Sequence, residues 1–174
     1  REKGDLSVTA ADRAFAIGLQ QLNATVDVVD NRATAQLQVQ GSQTGKLTAH
    51  AQTQMSKQGG NWGLSSRSPL TLSGQAHIDS LNPLAALYGA SVDIDGRVAI
   101  DLQGKGTFAK PRLRGRARAT ALSIEQVQNG LFLHDGSVQA AFDERGVEVT
   151  EASIKADEGS LTAEGRVFAD DLLA

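Results

Sequence analysis

Apolar and polar residues alternate along most of the chain, and the alternation is longest in "VDIDGRVAIDLQGKG", residues 92–106. The even-numbered positions, one of the two parities of the stretch, carry the apolar side chains Val92, Ile94, Val98, Ile100 and Leu102. Such alternation is typical of a β-strand with one apolar face and one polar face. A single strand from Val92 to Gly104 would span about 43 Å, whereas ordinary strands reach about 17–20 Å. We therefore expect one unusually long strand that ends at a turn at Gly104–Gly106.

The pair Asp95-Gly96 offers a competing interpretation, because Asp-Gly is a favoured two-residue hairpin turn. That turn would place Ile94 opposite Arg97, mixing apolar and charged partners on one face. Keeping Gly96 inside the strand leaves these five apolar side chains on one side, so the sequence favours a continuous strand.

A second Asp-Gly pair, at residues 135 and 136, gives the opposite answer to the same test. A turn there would pair Leu133 with Val138 and Leu131 with Ala140, so that apolar residues lie opposite apolar residues. We therefore predict a hairpin at Asp135-Gly136.

The same alternation recurs along the rest of the chain and predicts about ten strands in all. The apolar parity slips by one near Glu151–Ala152, as a β-bulge would cause. One short helix interrupts the strands in "SLNPLAALYG", where Asn82 suits the N-cap, Pro83 the first helical position and Gly89 the left-handed stop. We predict a short amphipathic helix near 82–88.

Nearly every predicted strand carries a full apolar stripe, and one short helix cannot cover ten strands. Either two sheets stack as a sandwich, or one sheet curls and leaves an apolar interior partly open. Long strands, 18 Gly residues and only 4% aromatic residues favour the curled sheet. The predicted fold is therefore all-β: a long, curved, mostly antiparallel sheet folded into an open groove, like a half-pipe, with an apolar interior.

We expect residues 1–174 to form a single β-groove domain and to be a piece of a longer protein, because the chain has no initiator Met or signal peptide. Within the domain, residues 1–69 would form N-terminal hairpins and residues 70–174 the helix-containing C-terminal part.

Composition and motifs exclude several functional classes. The net charge of −3, with both signs interspersed, gives no support for nucleic acid as a partner. Zero Cys excludes thiolate metal sites, and the three His residues lie far apart in the sequence. The segment from Ser91 superficially resembles an EF-hand loop, but Leu102 stands where a bidentate Glu is required. We therefore predict no enzyme activity, no metal and no cofactor.

An apolar groove of this kind suits acyl chains, because burial of aliphatic surface is favourable and non-directional. An open apolar trough would also far exceed the few hundred Å² that soluble proteins usually expose. The residues expected to line the lipid groove are Val92, Ile94, Val98, Ile100, Leu102, Phe108, Leu113, Val138, Phe142, Val147, Val149, Ile154 and Leu161.

Four arginines alternate with small or apolar residues in "RLRGRARA", at positions Arg112, Arg114, Arg116 and Arg118. Guanidinium groups bind phosphate in bidentate fashion, so the four side chains are candidates for contact with lipid head groups. The alternative is an outward-facing basic ladder that lies near the ladder of Asp93, Asp95 and Asp101 across a hairpin at Gly104–Gly106, where cross-strand charge pairing is common.

Residues 70–168 resemble the C-terminal domain of the TamB family of AsmA-like proteins. The resemblance lies in "LSGQAHIDSLNPLAALYGASVDIDGRVAIDLQGKGTFAKPRLRGRARATALSI", then "LFLHDGSVQAAF" and "GSLTAEGRV". It is carried by a Leu-rich helix after a strand and by the order of Gly96, Gly104, Gly106, Thr107, Pro111, Leu113 and Gly115. Residues 1–69 match the family only in their alternation.

The resemblance implies a periplasmic β-structure that is anchored in the inner membrane by an N-terminal helix outside this piece. It further implies a role in moving phospholipid towards the outer membrane and in assembling outer-membrane β-barrel proteins, with a TamA-like barrel protein as partner. The alternatives are a chaperone module that binds outer-membrane protein strands by β-augmentation, and a cell-surface β-sandwich fragment.

Overall fold

The computed structural model of the protein describes residues 7–10, 13–16, 19–42, 45–58, 61–85 and 92–168. The strands in chain order are β1 (Ser7–Ala10), β2 (Arg13–Ala16), β3 (Leu19–Val29), β4 (Arg32–Gly41), β5 (Gly45–Gln54), β6 (Ser56–Gln58), β7 (Asn61–Gly63), β8 (Pro69–Ile78), β9 (Asp93–Thr107), β10 (Lys110–Gln126), β11 (Leu131–Asp143), β12 (Gly146–Ala156) and β13 (Gly159–Phe168). A helical turn, α1 (Asn82–Ala85), precedes β9, and a 3-10 turn, Val127–Asn129, follows β10.

Nine of these strands form one antiparallel sheet in the order β13-β12-β11-β10-β9-β8-β5-β4-β3. Each strand pairs with its neighbours in sequence, except that the separate hairpin β6–β7 is inserted between β5 and β8. A second separate hairpin, β1–β2, precedes the sheet. The sheet is not closed, so β3 and β13 are its two edges. The prediction of an all-β, antiparallel fold is confirmed, whereas the half-pipe shape with an apolar interior stays a prediction.

The register places apolar residues on the same face in all nine strands. One row of directly paired residues, read from β3 to β13, is Leu22, Val39, Leu47, Ala76, Ile100, Ala117, Ala140, Val149 and Gly165. We call the face that carries this row the apolar face. The next row projects from the opposite side, the polar face, and consists of Asn23, Gln38, Thr48, Gln75, Asp101, Arg116, Ala141, Glu148 and Arg166.

The long strand predicted from Val92 to Gly104 is confirmed as β9, and Gly96 lies inside it, as expected. The predicted turn at Gly104–Gly106 is wrong, because both glycines remain paired with β10, opposite Leu113 and Pro111. The turn comes at Phe108–Ala109, after the last pair of the ladder, Thr107 with Lys110. Glycine at these two positions therefore marks a strand interior and not its end.

The hairpin predicted at Asp135-Gly136 is also wrong. Leu131–Asp143 is one continuous strand, and both of its arms pair with β10, through Leu133 opposite Ile124 and Val138 opposite Ala119. Asp135 adopts a left-handed φ of 51° and forms a bulge, which is a conformation that Asp tolerates better than most residues. The bulge shifts the parity by one, so both arms keep their apolar residues on the apolar face.

Two further bulges occur in the neighbouring strands. The parity slip predicted near Glu151–Ala152 is confirmed, because the pairing of β12 with β13 skips between Val149 and Ala152. In β10 the register shifts between Thr120 and Ser123, and Ala121 there has a φ of 51°. Strands longer than usual accumulate twist, and one bulge in each of β10, β11 and β12 realigns their apolar stripes.

The beginning of helix α1 is fixed to the sheet by Asp95. Its Oδ1 atom accepts hydrogen bonds from the Ser80 hydroxyl (2.8 Å), the Leu81 amide (3.3 Å) and the Gly96 amide (2.7 Å). These bonds, led by that of Gly96, lower the pKa of the Asp95 carboxyl. The helix predicted near 82–88 is present over Asn82–Ala85, and residues 86–88 lie outside the described part of the chain.

The nine strands form a single layer. Contacts between elements are mainly those of neighbouring strands, together with α1 against β9. Among the residues whose side chains are described, no large side chain is fully buried, and several on the apolar face are exposed, such as Val26 at 70% and Leu161 at 67%. No helix in the described ranges is long and apolar enough to cross a bilayer.

Candidate ligand-binding faces of the sheet

The residues predicted to line a lipid groove fall together on the apolar face with two exceptions. Val92 precedes β9, and Phe108 lies in the turn between β9 and β10, where it is exposed. The remaining eleven belong to five adjacent strands, and the register aligns them, for example Phe142 with Val147 and Ile154 with Leu161. Whether they contact lipid stays a prediction.

A concavity of about 590 Å³ opens on the apolar face, in β3, β4, β5, β8 and β9. Its lining is almost entirely aliphatic and includes Val26, Leu37, Leu47, Leu72 and Ile100. Only Ile100 and Leu102 of the predicted lining residues take part in it. Sequence reasoning missed the rest, although the alternation of Ala, Val and Leu in residues 24–51 was visible and would have indicated them.

The apolar face is packed more tightly in β9, β10 and β11, because large side chains lean over strand glycines there. A Cβ at Gly104 would meet Leu113 Cδ2 and Leu72 Cγ at 2.7 Å each. Phe142 covers Gly115 in the same way, and Leu122 and Ile154 cover Gly136. Apolar side chains thus fill the space above these glycines, whereas the apolar face is open towards β3 and also at β13, where a Cβ at Gly165 would meet no atom of a described residue within 4 Å.

The four predicted head-group arginines project from the polar face, on the other side of the sheet from the aliphatic concavity. Arg116 lies opposite Asp101, and Arg114 lies opposite Gln103 and donates to its Oε1 at 3.3 Å. Arg118 donates to Gln139 Oε1 at 3.0 Å. One lipid could reach both faces only around an edge or end of the sheet, so the head-group role stays a prediction.

The alternative expectation, a ladder of Arg–Asp pairs, is met at one position. Asp101 faces Arg116, but Asp93 and Asp95 lie beyond the arginines and pair with Glu125 and Ser123 of β10. The offset arises because β9 and β10 run antiparallel from the turn at Phe108–Ala109, which aligns the arginines with residues 99–105 in the C-terminal part of β9, next to that turn.

A second concavity, of about 620 Å³, opens on the polar face around these arginines. The charged residues that line it are Asp101, Arg114, Arg116, Asp143, Arg145, Glu148 and Arg166. Two ion pairs lie at its far side, Arg145 with Asp143 at 2.7 Å and Arg166 with Glu148 at 2.6 Å. Hydrogen bonds from the Arg145 side chain lower the pKa of Asp143.

In the part of the chain that the structure describes, no group of three or more His, Cys, Asp or Glu residues could hold a metal ion. The two concavities are candidates for binding, one through aliphatic surface and one through guanidinium groups. We found no protein family, no characterised protein and no solved structure that matches this chain.

Proposed function

We propose that the protein is a non-enzymatic lipid-binding segment whose apolar face holds the acyl chains of phospholipids. The observation that carries the proposal is the unbroken apolar row across nine strands, with exposed aliphatic side chains such as Leu22 and Val26. Nine strands of ten or more residues present a face of about 38 by 33 Å, roughly 1,200 Å². Soluble proteins rarely leave more than a few hundred Å² of apolar surface uncovered.

The chemistry of this face fits acyl chains better than aromatic or polar ligands. The side chains that line the concavity from the apolar face are Ala, Val, Leu and Ile, the polar lining residues such as Gln36 and His50 belong to the opposite face, and no Phe, Tyr or Trp among the described residues takes part. A methylene chain needs no directional partner, and each buried CH₂ contributes about 0.8 kcal/mol. The ligand could therefore slide along the sheet without breaking specific contacts, which is what a conduit requires.

The wider role follows from the resemblance to the TamB family and is part of the same proposal. The segment would belong to a periplasmic protein anchored in the inner membrane, with its sheet curved into a half-pipe. It would move phospholipid between the inner and outer membranes and support assembly of outer-membrane β-barrel proteins with a TamA-like partner.

Native mass spectrometry of gently purified protein should find phospholipid bound, and charge on the apolar face should remove it. Ile100→Asp places a carboxylate in the aliphatic concavity, and Val98→Arg places a guanidinium two residues away on the same face. Ala99→Asp is the matched control, because Ala99 lies between them on the polar face. We expect the first two variants to stay folded and lose lipid, and the control to retain it.

The outcome that would refute acyl-chain binding is wild-type protein free of lipid whose apolar side chains are protected from water. In that case Ile100→Asp would unfold the protein, because a closed core cannot hydrate a buried charge. Circular dichroism of the variants distinguishes loss of lipid from loss of fold.

A second candidate function is binding of partner strands by β-augmentation. The supporting observation is that the outer strands β3 and β13 are exposed along almost their whole length and belong to an open sheet. An unpaired strand edge is a template for an added strand. Crosslinkers placed at Thr25 or Thr162 should then capture outer-membrane protein segments, and Ile100→Asp should leave that capture unchanged.

A further inference from the structure

We infer that the polar-face concavity is a phosphate-binding site centred on Arg114 and Arg116. This site goes beyond the proposed acyl-chain role, because the sheet separates it from the apolar face. Its two central arginines belong to β10, between Asp101 of β9 and Ala141 of β11, and its lining extends to Glu148 of β12 and Arg166 of β13.

The carboxylates around the concavity are already engaged by other donors. Asp143 is paired with Arg145, and Glu148 is paired with Arg166. Asp101 accepts a hydrogen bond from Gln75 Nε2 at 3.0 Å, although it also offsets part of the charge of Arg116 opposite. The acidic side chains therefore leave donors on Arg114 and Arg116 available.

The two central guanidinium groups retain most of their hydrogen-bonding capacity. Arg116 makes no hydrogen bond or ion pair with any other described residue, and Arg114 makes only the long one to Gln103. Each guanidinium has five N–H donors in a rigid fork. Space for a ligand exists beside them, because Ala141 is a small side chain in a row of long ones.

The spacing favours a phosphate group over a carboxylate. Arg114 and Arg116 are two residues apart on one strand, so their Cα atoms are about 7 Å apart and both forks can converge on one anion. A carboxylate presents two oxygens in one plane, which one bidentate arginine engages edge-on, whereas a phosphate monoester presents three oxygens in a tetrahedral arrangement that two forks can approach from different directions. The phosphate could belong to a lipid head group or to a small soluble molecule.

The first experiment titrates inorganic phosphate into the whole chain at low salt, followed by NMR of the arginine side chains. Arg114→Gln combined with Arg116→Gln should weaken binding at least tenfold. The control is Arg97→Gln combined with Arg112→Gln, which removes the same charge from the same face outside this concavity. Equal weakening in both double variants, or no binding by the wild-type protein, would overturn the site.

A second arm identifies the source of the phosphate. Vesicles of phosphatidylcholine with and without phosphatidic acid are tested for binding, with inorganic phosphate as competitor. Binding that needs phosphatidic acid, depends on Arg114 and Arg116 and is competed by phosphate assigns a lipid head group. Binding of phosphate without vesicle binding assigns a soluble ligand. Ile100→Asp should not change either result, so failure of the acyl-chain proposal remains separable from failure of this one.

Discussion

The two halves of the sheet share one apolar face but differ in strand length, in the regularity of their pairing and in the charge of their polar face. The first half, β3–β5 and β8, has regular ladders apart from one irregularity at the start of β3, and its polar face is mostly Gln, Thr, Ser and His. The second half, β9–β13, has three bulged strands, strands of up to 17 residues and a polar face rich in Arg, Asp and Glu.

The difference shows how an apolar face can be kept continuous in two ways. Short regular strands hold their parity unaided, and they leave aliphatic space open above small residues such as Ala49 and Gly74. Long strands need bulges to restore parity, and they close the space above their glycines with Leu, Ile and Phe. The first half therefore offers the room for an acyl chain, whereas β9–β11 of the second half are packed more tightly and the second half carries most of the charged side chains.

The largest effect on stability is expected when one glycine in each half is replaced by alanine. A Cβ at Gly115 would collide with the Asp101 carbonyl oxygen and the Phe142 ring, whereas at Gly74 the nearest atom is the Thr48 carbonyl oxygen at 3.5 Å. We expect Gly115→Ala to lower the free energy of unfolding by roughly 2–3 kcal/mol. Gly74→Ala should change it by less than about 1 kcal/mol, with stabilisation the favoured direction. Urea denaturation measures both, and similar losses would show that the halves are packed alike.

A medium-sized effect is expected at the bulges, which distinguish the second half. Ala121 has a left-handed φ, and a residue with a Cβ pays about 1 kcal/mol there relative to Gly. Ala121→Gly should therefore stabilise the protein slightly, while Ala119→Gly, in regular strand geometry, should destabilise it by about 0.5–1 kcal/mol. Thermal unfolding of the two variants should move in opposite directions. A loss of stability in both would contradict the bulge at Ala121.

The smallest effect concerns the first half, where one hydroxyl interrupts the apolar face. Thr53 is aligned with Ala33 and Leu70, and its buried Oγ1 has no hydrogen-bond partner among the described residues. Thr53→Val should raise the free energy of unfolding by up to about 1 kcal/mol, because it removes an unsatisfied polar atom. Thr71→Val, on the polar face of the neighbouring strand, should change it by less than about 0.5 kcal/mol. Denaturant titration would contradict the assignment if Thr53→Val were destabilising.

Alternation alone was sufficient to predict the fold class and the long strand β9. The apolar side chains at every second position of Ile94–Leu102 predicted a strand with one apolar face. Comparing the cross-strand partners that a turn would create correctly kept Gly96 inside that strand. The same test failed at Asp135-Gly136, because a bulge and a two-residue turn both shift parity by one. Which of them forms is decided by the partner strand β10, whose pairing is not local information.

The candidate sites were predictable to a smaller extent. The alternation in "RLRGRARA" placed the four arginines on one face, but only the register revealed that Arg145 and Arg166 from other strands join Arg114 and Arg116 at one concavity. The aliphatic concavity in the first half was missed, since its depth depends on small residues aligned across five strands. Depth of this kind is a property of cross-strand neighbours and not of any single stretch of sequence.

The neighbour-to-neighbour strand order also bears on how the protein folds and how its length can vary. Apart from the inserted β6–β7 hairpin, every pairing in the sheet joins strands that are consecutive in the chain. Low contact order of this sort favours rapid, zipper-like folding that can begin at any hairpin. Stability then grows nearly additively with each strand, as in solenoid repeats. Evolution could lengthen or shorten such a sheet by whole hairpins at either edge without redesigning the remainder.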